Sequence, residues 1–125
     1  MAAATKRGRG RPRVEPILVF KAQSFIQGHF TQELSLRETA KAVNINPNYL
    51  SEKFKEVTGV NFVEYVARIR FANACDLVRN SKLSISEIAF AAGFQSLSQF
   101  NRVFKRFSGK SPRQYRAATV DALVA

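Results

Sequence analysis

The sequence predicts an all-α protein of about seven helices, in which two helix-turn-helix units are joined by a long linker helix. Three observations predict it. From Pro16 the apolar residues recur at helical spacing almost to the end, and no stretch alternates with period two over a useful length. The third is an internal repeat. At an offset of 49, Ser35, Glu38, Ala40 and Ala42 fall on Ser84, Glu87, Ala89 and Ala91. One residue is inserted in the turn, and at an offset of 50, Leu50, Phe54, Lys55, Gly59 and Tyr65 fall on Phe100, Phe104, Lys105, Gly109 and Tyr115.

The elements follow in order. Residues 1–15 are small, basic and broken by Gly8, Gly10 and Pro12, the composition of a disordered tail or linker. A first helix runs from about Pro16 to His29, with Ile17, Phe20, Phe25 and Ile26 as its apolar residues and His29 near its last carbonyls. Ser35 is an N-cap with Glu38 placed to close a capping box, opening a short helix over 36–43. Asn44-Ile45-Asn46-Pro47 forms a turn, and a helix over 47–57 stops at Gly59. The linker helix spans about 61–79, and Cys75 is a small, partly buried apolar residue within it. Ser84 and Glu87 repeat the capping box before a helix over 84–92. Gly93 breaks that helix, Ser96 caps one over 97–107, Gly109 ends it, and Ser111-Pro112 opens the last. The folded domain is thus expected over 16–118, with a short tail over 119–125.

Composition narrows the function. In 125 residues there are 20 Lys and Arg against 9 Asp and Glu, a net charge of +11. The charge is segregated: residues 1–13 carry five cations and no anion, 14–67 have a net charge of −1, and 68–116 have a net charge of +8. Between Glu87 and Asp121 no acidic residue occurs. Such segregation favours a nucleic-acid partner. One cysteine and one histidine leave no disulfide framework, no multi-cysteine or His-pair metal site, and one imidazole for acid–base work. No apolar run is long enough to span a membrane. The expectation is a non-enzyme without metal or cofactor.

The second repeat carries the clearest surface. Phe100, Phe104 and Phe107 stand at i, i+4 and i+7 and share a core-facing stripe. The opposite face holds Ser98, Arg102 and Lys105, flanked by Gln95, Gln99 and Arg106, groups able to hydrogen-bond base edges and phosphates. In the first repeat Leu50, Phe54 and Val57 form the stripe, and Asn48, Glu52 and Lys55 lie opposite, with Ser51 and Glu56 beside them. Arg102 and Arg106 therefore correspond to Glu52 and Glu56. Two readings of Glu52 stand: it accepts from a cytosine N4, or it sits over a site the helix does not enter deeply. Further cationic contacts are expected from Arg113, and the helix starts at Ser35 and Ser84 offer N–H groups to phosphates. For Arg68 and Arg70 a structural role beside a carboxylate competes with a phosphate contact. In the tail, Arg9-Gly10-Arg11-Pro12 resembles an AT-hook core, which would place Arg9 and Arg11 in a minor groove.

The runs LSLRETA, NYLSEKFKEVTG, FVEYVARIRFANACDLV, SISEIAFAAGF and SQFNRVFKRFSGKSPRQYR resemble the DNA-binding domain of the AraC/XylS family of bacterial transcriptional regulators. With the first helix included, the resemblance covers about 100 of 125 residues. It implies a seven-helix domain whose third and sixth helices enter consecutive major-groove segments of double-stranded DNA. Carried over by position, the first would use Asn48, Ser51 and Glu52, and the second Ser98, Gln99 and Arg102. Glu52 departs from the family's frequent basic residue and Gln99 from its frequent aromatic one. The resemblance further implies a cytoplasmic, nucleoid-associated regulator, by prior an activator, whose domain binds as a monomer, with RNA polymerase as a candidate partner. Members usually carry a second, ligand-binding or dimerising domain, so the chain is expected to be either a stand-alone regulator or, as the basic tail's likeness to a severed linker favours, the DNA-binding end of a longer ligand-responsive regulator. The competing classes are a sequence-nonspecific architectural DNA-binding protein aided by the tail, and a basic adaptor for an acidic protein.

Overall fold

The computed structural model describes residues 11–124, and the side chains of residues 16–120. Among the described residues there are seven helices and no strand: α1 Arg11–His29, α2 Leu36–Ala42, α3 Pro47–Thr58, α4 Phe62–Asn80, α5 Ile85–Ala91, α6 Leu97–Ser108 and α7 Pro112–Val124. The all-α double helix-turn-helix architecture is as the sequence predicts. The end helices are longer than expected. α1 starts at Arg11, so Pro16 lies inside the helix, where it removes one bond of the ladder, instead of at its opening. α7 continues through Val124, past the boundary expected at 118.

The chain divides into two compact units, residues up to 29 with 34–65, and residues 30–33 with 66 onward. In the first, α1, α2 and α3 pack on one another. The core is Val19, Ala22, Ile26, Thr39, Ala40, Leu50, Phe54 and Phe62. Phe54 anchors it, meeting Phe62 and Tyr65 edge-on at ring-centroid distances of 6.0 and 4.9 Å. One expectation fails here, the core position of Val57. Ile17 and Phe20 are 54% and 66% exposed, because α1 buries the narrower Val19–Ala22–Ile26 stripe, in which Ala22 leaves no side-chain bulk to hold a neighbour away. Val57 is 47% exposed, and the rings that meet Phe54 are those of Phe62 and Tyr65.

In the second unit α5 and α7 pack on α6, and Ala74, Cys75, Val78, Ile88, Ala89, Ala92, Phe94, Phe100, Val103 and Phe104 form the core. Phe100 and Phe104 are fully buried, while Phe107 is half-buried against Phe71 at 5.3 Å. Burial raises the Cys75 thiol above its usual range, opposed by a hydrogen bond to Tyr115 and the charge of Arg79.

Arg70 is buried and bonded to main chain, not to a carboxylate. Its Nε donates to the Phe30 carbonyl at 2.9 Å and a terminal nitrogen to the Gln32 carbonyl at 3.0 Å, satisfying acceptors just past the end of α1. Arg116 closes the end of α4 in a similar way, donating to the Val78 carbonyl in its last turn at 3.1 Å and to the Ser81 carbonyl just beyond it at 3.3 Å.

Candidate nucleic-acid interface

Both long helices of the repeats are held by the same local chemistry. α3 and α6 each have 12 residues. The Asn46 side chain accepts from the N–H groups of Asn48 and Tyr49 at the start of α3, and Ser96 accepts from Gln99 at the start of α6. At the other ends Gly59 and Gly109 turn left-handed at φ 86° and 79°, each N–H donating at 2.8 Å to Lys55 or Lys105. Thr58 and Ser108 complete the match, each hydroxyl donating at 2.7 Å to the Phe54 or Phe104 carbonyl. The repeated sequence thus gives two helices closed by the same devices.

On α6 the side chains opposite Phe100 and Phe104 face solvent: Ser98, Arg102, Lys105 and Arg106 are all exposed. Arg106 lies over the Phe107 ring at 4.4 Å, which fixes its stem along the helix. Gln99 is half-buried, and its side-chain oxygen accepts from the Gln95 N–H at 2.9 Å. Gln99 therefore braces the entrance of α6. The Gln95 side chain is exposed and reaches the Glu33 carboxylate at 3.5 Å. On α3, Asn48, Glu52 and Lys55 are exposed and Ser51 is half-buried. Glu56 pairs with Lys53 at 3.4 Å.

The two helix starts expected to meet phosphates differ. Ser84 and Glu87 close a full capping box, the Ser84 N–H donating to Glu87 Oε1 at 2.8 Å and the Glu87 N–H to Ser84 Oγ at 3.1 Å. That box occupies the Ser84 N–H and holds the Glu87 carboxyl below the usual glutamate range, through the backbone and side chain of Ser84. Only half of the expected box forms at Ser35. Its hydroxyl accepts from the Glu38 N–H at 3.0 Å and donates to Oε1 at 3.3 Å. With φ of −126° at Ser35 against −69° at Ser84, the Ser35 N–H is turned away from the glutamate.

Two clefts add residues that the sequence reading passed over. One, of about 830 Å³, lies at the starts of α5 and α7 and along α6, and brings Arg116, Ser86 and Asn101 beside Lys105 and Arg113. The other, of about 400 Å³, lies at the first turn and includes Arg37 and Lys41. Arg37 and Lys41, four apart on α2, carried a readable signal in their i, i+4 spacing. Arg116 carried none, since its position depends on a bond to a distant carbonyl. The minor-groove candidates Arg9 and Arg11 lie outside the described side chains. No group of three His, Cys, Asp or Glu able to hold a metal occurs among the described residues, and none of their helices is long and apolar enough to cross a membrane.

A family model described as a helix-turn-helix domain matches residues 39–118. The chain belongs to the AraC/XylS family of helix-turn-helix transcriptional regulators. It is 32% identical over 98 residues to the Msm operon regulatory protein of Streptococcus mutans, a match covering 78% of this chain and 35% of that one. Among solved structures, the C-terminal domain of AraT, a response regulator from Geobacillus stearothermophilus, superposes with a TM-score of 0.78 at 36% identity, covering 81% of this chain and 84% of that one. The DNA-binding domain of AdpA, solved in complex with a target DNA, shares the fold at a TM-score of 0.77 and 24% identity, over 80% of this chain and 90% of that one. The chain spans about a third of the length of the Streptococcus mutans relative and 12% of that of the matched Staphylococcus aureus regulators.

Proposed function

We propose that this AraC/XylS-type domain binds double-stranded DNA sequence-specifically, setting α3 and α6 into successive major-groove segments of an asymmetric bacterial promoter site. Base contacts come from Asn48, Ser51 and Glu52 on α3, and from Gln95, Ser98, Gln99 and Arg102 at α6. Ser35, Lys55, Lys105, Arg106 and Arg113 hold the phosphates, whereas Ser84, expected beside them, is engaged through its N–H and hydroxyl by Glu87. One chain suffices, because it carries two unlike reading helices, and a site for two unlike helices has no two-fold symmetry. In the cell the domain serves as the DNA-binding end of a longer, ligand-responsive activator acting at the nucleoid, with RNA polymerase as its partner.

The observation that carries this reading is the exposed face of α6. Ser98, Arg102 and Lys105 stand clear of the buried Phe100 and Phe104, on a segment without a single carboxylate. A merely solvated helix would mix its charges.

Selecting bound duplexes from a random pool at about 0.15 M salt tests it, since non-specific phosphate binding is weakened there. An asymmetric motif in two parts, centred about one turn apart, is expected. Enrichment of A·T tracts alone, or of nothing, would replace it with the architectural alternative.

A further inference from the structure

Glu52 and Arg102 occupy equivalent places. Each is the sixth residue after its N-cap, Asn46 or Ser96, on helices of 12 residues closed by the same glycine and hydroxyl bonds. Backbone geometry therefore does not distinguish the two positions; only the side chains do. One is a pure acceptor and the other a pure donor.

Glu52 is also uncommitted. It is exposed, and among the described residues the ion pair on this helix joins Lys53 to Glu56 at 3.4 Å, leaving the Glu52 carboxylate without a cation. An unpaired carboxylate facing a polyanion opposes binding unless a donor meets it. The major groove offers two such donors, cytosine N4 and adenine N6. Adenine N6 is flanked by acceptors on both sides, its own N7 and the paired thymine O4. Cytosine N4 has an acceptor on one side only, the guanine O6. A carboxylate, with two acceptor oxygens and no donor, is therefore repelled less at cytosine.

We infer that Glu52 specifies a cytosine in the segment contacted by α3, while Arg102 at the matching place on α6 specifies a guanine. The repeat then reads its two half-sites with opposite hydrogen-bond polarity, which is what makes the site asymmetric. This assignment rests on the bipartite reading above.

The test uses the selected duplex and a set in which each base of the α3 segment is changed in turn. Binding is measured for the parent, Glu52→Ala and Glu52→Gln, with urea unfolding to verify that each variant is folded. The parent should prefer cytosine at one position by roughly 5- to 100-fold. Glu52→Ala should reduce that preference to about twofold or less, and Glu52→Gln should move it toward adenine, whose N6 and N7 a carboxamide matches. If Glu52→Ala tightens binding to every duplex alike and leaves all base preferences intact, Glu52 only repels phosphates and the assignment is overturned. Absence of any two-part motif for the parent would instead overturn the bipartite reading itself.

Discussion

Asn44 and Gly93 make the same turn in the two repeats, both in the left-handed region, at φ 60° and 97°. Each N–H donates at 3.1 Å, to Lys41 or Phe90, and the following N–H donates at 3.0 Å, to Ala40 or Ala89. Asparagine tolerates this conformation and glycine adopts it freely. Their surroundings differ. A Cβ on Gly93 would run into the Phe30 carbonyl, Thr31 Cα and the Arg70 guanidinium, whereas one on Gly59 or Gly109 would meet nothing within 4 Å.

An ordered series of stabilities follows. Gly109→Ala should cost about 1 kcal/mol, the strain of a left-handed alanine alone. Gly93→Ala should cost at least about 3 kcal/mol, because main chain must also move. Urea unfolding measures both, and equal losses would contradict the crowding at Gly93.

Arg70 supports the same segment. Arg70→Met keeps the stem but strips the Phe30 and Gln32 carbonyls of their charged donors, with an expected loss of about 3 kcal/mol. A thermal unfolding curve unchanged by the substitution would show that solvent replaces those bonds. Sequence reasoning placed Arg70 beside a carboxylate or a phosphate; carbonyls some 40 residues distant in sequence leave no local pattern to read.

Glu87 gives the acid dependence. Its folded pKa is depressed, so the stability it contributes is present above its unfolded pKa, about 4.3, and is lost as pH falls through the lower folded value. In an NMR titration the Glu87 carboxyl should titrate below its ordinary range, and Ser84→Ala should return it toward that range. A Glu87 that titrates normally in the parent would show the capping box to be open in solution.

Phosphate contacts have a salt signature. With the cations Lys55, Lys105, Arg106 and Arg113 on phosphates and the serines contributing no charge, log affinity should fall against log salt with a slope of about −3.6. Arg113→Ala should make that slope shallower by about 0.9 without altering the preferred sequence. A change of preferred sequence would move Arg113 from phosphate to base.

Much of the fold was legible because the repeat wrote it twice. Serines, glycines and buried phenylalanines at fixed offsets set the caps and stripes of α2, α3, α5 and α6, and the exposed face of α6 followed from period alone. What was not legible depended on contacts across sequence distance. Phe20 and Val57 are apolar at helical spacing yet exposed, whereas Ala22 and Phe62 are buried. Ser35 has the letters of a capping box without its geometry, since the preceding backbone turns its N–H aside. Gln99 looked like a reading residue alone, and it also braces Gln95.

In the proposed function one chain reads two successive groove segments with α3 and α6. The most direct test inserts about five base pairs, half a turn, between the two parts of the selected site. Binding should then fall to that of a duplex keeping one part alone. Affinity unchanged by the insertion would contradict the proposal, for it would mean that the two parts are not engaged together by one chain.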